Sequence, residues 1–392
     1  MWRKSLGIYP FRYNNQLELL QSGNSFFEKL SDLIKNAVSE IHIQIYIFES
    51  DTTGIIIKDL LIDAAKRGVK IYVVLDAYGS KKFNKNWQET FTKAGIELYF
   101  YSPIKFGNIL HMGMRLHHKI ICIDNQFALV GGINISNNYS GYSPQTPWID
   151  FAIFVKGKIV RDLLQLCFQT LRTVSNYPKI KTKIDTHIEK KPIQARVLQN
   201  NWVKFKFGIT HEYKQHIRKS EKEITLFASY FIPSFTLKKL LKNAAKRGVN
   251  VQIVLASNSD VGIAKYASEY FYIDMLKSGI KLYEWKPSVL HAKVAIIDSN
   301  WFCIGSYNLN HLSDFGSMEC NLEILDKSYI ESLKPIFNNF ILKDCDKILL
   351  SDFNKKNTVK NKFINFLSYK LYRFLLLILF ILQGKNNRKP KK

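Results

Sequence analysis

Two stretches of the chain carry imidazoles, ammonium groups and amides at one spacing. His117-His118-Lys119-Ile120-Ile121-Cys122-Ile123-Asp124 is followed, after six residues, by Gly131-Gly132-Ile133-Asn134. His291-Ala292-Lys293-Val294-Ala295-Ile296-Ile297-Asp298 is followed, again after six, by Gly305-Ser306-Tyr307-Asn308. Matched positions lie 174 apart. Positions two apart on a strand share a face, so His117 points with Lys119 and His291 with Lys293. The small residues Gly131, Gly132, Gly305 and Ser306 would let a ligand approach the backbone. Asn134 and Asn308 would donate amide hydrogen bonds into the same space.

This set suits phosphoryl transfer. Paired lysines and asparagines can hold the nonbridging oxygens of a phosphodiester and neutralise charge in the transition state. One imidazole can attack phosphorus, while the other protonates the leaving alcohol and deprotonates the incoming one. The chemistry requires no metal, and the sequence offers no carboxylate cluster suited to one, so neither metal nor cofactor is expected. A catalytic imidazole needs a partner to fix its tautomer. Asp150 and Glu319, each beyond the Asn of its half, are the candidates.

The doubled pattern His-x-Lys-(x)4-Asp-(x)6-Gly-[Gly/Ser]-x-Asn resembles the phospholipase D superfamily over roughly residues 16–340. Ile41-His42-Ile43-Gln44-Ile45-Tyr46-Ile47-Phe48, Trp148-Ile149-Asp150 and Gly305-Ser306-Tyr307-Asn308-Leu309 are similar to bacterial cardiolipin synthases, in the subgroup without N-terminal membrane helices. His118 stands where many relatives have Arg, and Asn310 where Asp is frequent. The resemblance implies a catalytic set of His117, Lys119, Asp124, His291, Lys293 and Asp298, although the family usually uses the two Asp structurally. It implies supporting roles for Asn134, Asn308, Ser306, Asp150 and Glu319. It implies two α-β-α sandwich domains facing one shared site, a covalent phosphohistidine, and cardiolipin made with phosphatidylglycerol as donor and acceptor, or with another phospholipid as donor. A hydrolase of the same superfamily, acting on lipid or nucleic acid with water as acceptor, is the alternative. A binding scaffold with an inactive site is a third reading, disfavoured by the intact polar residues.

The elements that must position these residues follow from periodicity. Residues 16–22 read as a strand, 24–39 as a helix with Phe26, Phe27, Leu30, Leu33 and Ile34 on one face, and 41–48 as a core strand. Strands alternating with helices argue for an α/β fold. Ala64-Ala65-Lys66-Arg67-Gly68-Val69 recurs as Ala244-Ala245-Lys246-Arg247-Gly248-Val249, and Tyr46-Ile47-Phe48 is echoed by Tyr230-Phe231-Ile232. The chain therefore reads as a tandem duplication: a first domain at 1–176, a linker at 177–191, a second domain at 192–348 and a tail at 349–392.

Composition bounds the setting. The chain has 392 residues, 46% of them apolar, and a formal net charge of +25. Such a balance attracts polyanions, whether anionic lipid or nucleic acid. The five cysteines lack metal-type spacing and read as free thiols in a reducing compartment. No secretory signal opens the sequence. The tail combines lysines with the apolar run Phe374–Leu382, too short alone to span a bilayer. It reads first as an interfacial anchor, with a true span or a helix docked on the protein as alternatives. Together with the resemblance to bacterial cardiolipin synthases, these features imply an anionic phospholipid membrane as partner, at the cytoplasmic face of a bacterial inner membrane, and the apolar tail argues against nucleic acid. They leave the oligomeric state open.

Overall fold

The computed structural model describes residues 5–103, 115–178 and 193–384, with side chains as far as 378. The first half supplies β1 (Arg12–Gln21), β2 (Glu40–Ile45), β3 (Lys70–Asp76), β4 (Glu97–Tyr101), β5 (Arg115–Leu116), β6 (Lys119–Ile123), β7 (Phe127–Gly131) and β8 (Phe151–Gly157). The second supplies β9 (Ile193–Asn201), β10 (Lys206–Phe207), β11 (Glu223–Ala228), β12 (Asn250–Ala256), β13 (Lys281–Trp285), β14 (Lys293–Ile297), β15 (Trp301–Gly305), β16 (Ser317–Ile324) and β17 (Cys345–Ile348).

Strand pairing repeats between the halves. The first runs β4-β3-β2-β6-β7-β8-β1. The second runs β17-β13-β12-β11-β14-β15-β16-β9. β1 and β9 pair antiparallel, Arg12 opposite Ala195 and Asn15 opposite Ile193, which joins the two runs into one open mixed sheet. The strands linked by helical crossovers, β2-β3-β4 and β11-β12-β13, are parallel, as such connections require.

Local chemistry explains the repeat. The helix Thr52–Lys66 starts where Asp51 accepts the Gly54 N–H, and its twin Phe235–Lys246 starts where Ser234 accepts that of Leu237. Gly68 and Gly248 follow with φ of 89° and 88°, a left-handed stop that favours glycine. The helix expected at 24–39 ends at Lys35. The Asp124 carboxylate accepts the N–H groups of Val38, Ser39 and Glu40 and turns the chain into β2. All four cysteines on the core strands and helices are buried, Cys345 partly, and all five are free thiols.

Helices cover both faces, giving the α/β architecture that the alternation predicts. The helices Val160–Val174 and Lys327–Asp344 pack in one apolar cluster drawn from both halves. Phe337 lies 5.1 Å from Phe151 of the first half and 5.2 Å from Phe227 of the second, ring centre to ring centre. Most of the expected linker lies outside the described residues. Residues 6–9, assigned to the first domain by sequence, run along β9 of the second, with Gln199 N–H donating to Gly7 O at 2.8 Å and Tyr9 N–H to Val197 O at 3.0 Å.

The tail forms two helices, Leu350–Lys356 and Val359–Gly384. The longer one docks on the second half through Asn365, Tyr369, Tyr372 and Leu376, positions that share a face at 3.6 residues per turn. Tyr369 stacks on Tyr270 at 4.7 Å. No described helix is long and apolar enough to cross a membrane.

Candidate active site

The two motif strands begin beside each other's partner half. His117 and His118 N–H both donate to Met318 O on β16, at 3.0 and 2.9 Å. His291 N–H donates to Ile149 O at 2.9 Å, just before β8. Each histidine is thereby set against the carboxylate of the opposite half. His117 Nδ1 lies 2.9 Å from Glu319 Oε2, and His291 Nδ1 lies 2.6 Å from Asp150 Oδ2. With Nδ1–H donated to a carboxylate, Nε2 of each ring carries the lone pair, and on His291 that atom lies 3.3 Å from Lys293 Nζ. Sequence reasoning names both carboxylates but not this exchange, because their spacing from the histidines gives no sign of which half each one serves.

Both histidines line a cavity of about 570 Å³ between the halves. Lys119 and Lys293 lie buried behind them, each donating to the carbonyl of its own histidine: Lys119 Nζ to His117 O at 2.7 Å, and Lys293 Nζ to His291 O. Lys293 Nζ also sits 3.0 Å from His291 Nδ1. Burial lowers both ammonium groups; the charge of Lys293 adds to the effect on Lys119, which falls to about 7, while Asp150 and Glu319 oppose the drop at Lys293. Two buried carboxylates, Asp150 at 3.8 Å from Lys293 Nζ and Glu319, offset part of the cost of burying the two cations, and a phosphodiester in the cavity would offset more of it.

The supporting residues break the symmetry. Glu319 accepts from His117, from Ser306 Oγ at 2.5 Å and from Ser317 Oγ at 2.7 Å. Burial pushes Glu319 up, but His117, Lys119 and Ser306 hold it below the usual carboxylate range. Asp150 has fewer donors, and burial pushes it up to about 6 against the pull of Lys293. Burial also lowers both histidines, His291 well below its ordinary value, with the lysines adding to the effect.

Several expectations change on contact with the geometry. The small residues were expected to admit a ligand. Instead, a Cβ at Gly132 would collide with the Asp150 carboxylate, and one at Gly131 or Gly305 with the neighbouring strand. They make room for the protein's own machinery, and Ser306 uses the place of Gly132 to reach Glu319. Asn134 faces the cavity, but its amide is committed: Oδ1 accepts from Ile47 N–H at 3.1 Å and Nδ2 donates to Tyr139 Oη at 3.0 Å. Asn308 also lines the cavity, and its Oδ1 has no partner among the described residues. Asp124 and Asp298 are not brought to the site. Each sits in a hairpin turn at φ of 52° and 51°, where Asp is tolerated better than most residues, and ties down the loop before β2 or β11. Their place in the motif is structural. His118 points off the other strand face, with Nε2 2.8 Å from Gln44 Oε1, and burial holds it at about 3.

Residues outside the motif complete the walls. Tyr46 meets His117 edge-on at 4.9 Å, and Tyr230 flanks His291 at 6.3 Å. Their echo is visible in the sequence, although it names no role. Tyr372 from the tail helix also lines the cavity, and nothing in the spacing of the motifs points to it. Away from the cavity, Glu212, His216 and Glu323 gather closely enough to hold a cation, but the Arg196 guanidinium already pairs with both carboxylates.

Comparison with known proteins agrees with this architecture. Residues 30–145 and 213–341 match the family described as cardiolipin synthase, PLD-like domain. Cardiolipin synthase B of Salmonella typhimurium is 30% identical over 86% of this chain and 83% of its own length. Cardiolipin synthase 2 of Bacillus anthracis is 30% identical over 90% of this chain and 69% of its own. The crystal structure of phosphatidylserine synthase from Haemophilus influenzae superposes with a TM-score of 0.73 at 16% identity, over 95% of this chain and 97% of that one, a likeness of fold. The chain belongs to the cardiolipin synthase family of phospholipase D-like enzymes.

Proposed function

We propose that this chain is a phosphatidyltransferase that makes cardiolipin from phosphatidylglycerol through a phosphatidyl group held on His117. One observation carries the reading: two histidines from opposite halves line a single cavity, each held at Nδ1 by a carboxylate from the other half. A nucleophile and a proton carrier are thus available to one phosphodiester.

His117 Nε2 attacks phosphorus, the bond from phosphorus to the head-group glycerol oxygen breaks, and His291 gives that oxygen its proton. The hydroxyl of a second phosphatidylglycerol then attacks phosphorus, His291 takes its proton, and the P–N bond breaks. Water in that step would yield phosphatidic acid. His117 is assigned the attack because its side chain is 15% exposed against 7% for His291. His291 stays neutral in the empty site, and the negative charge of a bound phosphodiester raises it toward the protonated form that an acid needs. Lys119, Lys293 and Asn308 hold the nonbridging oxygens, while Asp150, Glu319 and Ser306 orient the rings. The duplicated units are divided at 177–191.

Lipid mass spectrometry of cells expressing the wild type, His117→Ala or His291→Ala tests the reading. The wild type should raise cardiolipin, and either variant should remove the increase, with the purified enzyme losing at least about 10³-fold in rate. Phosphatidic acid in place of cardiolipin would assign water as the acceptor.

A further inference from the structure

The tail helix Val359–Gly384 carries two unlike faces. One is docked: Asn365 and Leu376 are buried, and Tyr369 and Tyr372 pack on the core of the second half. The opposite face is exposed and mainly apolar as far as Ile378, with Phe363 at 64%, Leu367 at 53%, Leu371 at 43% and Phe374 at 57%, and Lys370 among them. A soluble surface rarely leaves a contiguous strip of this size uncovered. Cations border it: Lys370 lies over the Phe366 ring at 5.3 Å and Arg373 over Tyr369 at 5.9 Å, with Lys360 and Lys362 exposed at the start of the helix.

We infer that this helix lies in the plane of an anionic bilayer, apolar face down, and sets the rim of the catalytic cavity at the lipid surface. Three observations favour a bilayer over a second copy of the chain. The strip is bordered by like charges that a twofold contact would oppose and lipid phosphates would neutralise. The whole chain carries +25, which repels another copy and attracts an anionic surface. Most directly, Tyr372 leaves the docked face of the same helix and lines the cavity beside Leu312. A helix seated among head groups would therefore bring the opening within reach of a phosphodiester that stays in its leaflet, with no need to extract the lipid. A helix anchored this way binds by apolar burial plus electrostatic attraction.

Co-sedimentation of the full chain with vesicles tests this, and it requires no turnover, so the result stands whichever acceptor the site uses. Wild-type protein should sediment with phosphatidylglycerol-containing vesicles and much less with pure phosphatidylcholine. Leu371→Glu/Phe374→Glu should lower the bound fraction about tenfold or more while thermal unfolding stays unchanged. Lys362→Gln/Arg373→Gln, which leaves the apolar strip intact, should weaken binding to the anionic vesicles alone. Sedimentation unaltered by the double glutamate variant would overturn the inference. So would a wild-type dimer that this variant splits with no change in vesicle binding, which would give the face to a second copy.

Discussion

The charge on Lys119 is the most exposed weakness of the site. Burial and the neighbouring Lys293 bring it down to about 7, so the empty enzyme carries that cation below neutral pH and loses it above. Asp150, pushed up to about 6 by burial, is ionised above that value and can then hold His291. In the proposed mechanism, phosphodiester capture needs both conditions. The account therefore predicts a narrow bell for kcat/KM, with its acid limb near 6 and its alkaline limb near 7. At saturation, bound phosphate restores the charge on the lysine, so kcat should hold to higher pH than kcat/KM. Asp150→Asn should lower the rate and flatten the acid limb. Steady-state profiles of wild type and variant check this, and an acid limb that persists in the variant would move its origin to another group. The residue types were legible from the sequence: His117, Lys119, His291 and Lys293 stand in the motif. Their ionisation was not, because it depends on burial of one half's groups by the other.

At the scale of elements, the two halves solve one problem in two ways. The strand β7 ends in Gly131 and is followed by Gly132, against which the short Asp150 carboxylate rests. The strand β15 ends in Gly305 and is followed by Ser306, whose hydroxyl reaches the longer Glu319. Exchanging these choices should fail in a specific manner. Gly132→Ala places a methyl group into the Asp150 carboxylate and should displace it from His291, costing about 10²-fold in kcat. Ser306→Ala keeps the space but removes one donor from a buried carboxylate, a loss worth ~1–3 kcal/mol, and should cost roughly tenfold. Parallel rate measurements on the two variants check the order. If Ser306→Ala proved the more damaging, the hydroxyl would have to act on substrate and not only on Glu319. The element order itself was readable, since β-branched runs and helix stops repeat through both halves. The helix expected to reach residue 39 stops at Lys35 because Asp124, distant in sequence, captures the turn that follows.

At the scale of the molecule, the duplication is more entangled than its linear reading. The chain was divisible by eye into two units, yet residues 6–9 lie along β9, and one apolar cluster takes helices and strands from both halves. The site has the same character, with each motif histidine held by a carboxylate from the opposite half. Such exchange leaves no trace in spacing, because Asp150 lies nearer in sequence to His117 than to the His291 it serves. Tyr372 lies beyond both matched segments and reaches the cavity only because the tail folds back. In the proposed mechanism the two halves build one site with a single nucleophile, His117, and a single proton carrier, His291. This assignment is tested most directly by rapid quench of His291→Ala with a phospholipid whose head group leaves without an acid, such as a p-nitrophenyl ester, followed by peptide mass spectrometry. The account predicts a phosphatidyl group on the peptide containing His117, formed in a burst and released slowly. A burst with no adduct on that peptide, or an adduct on His291 when His117→Ala is treated in the same way, would contradict it.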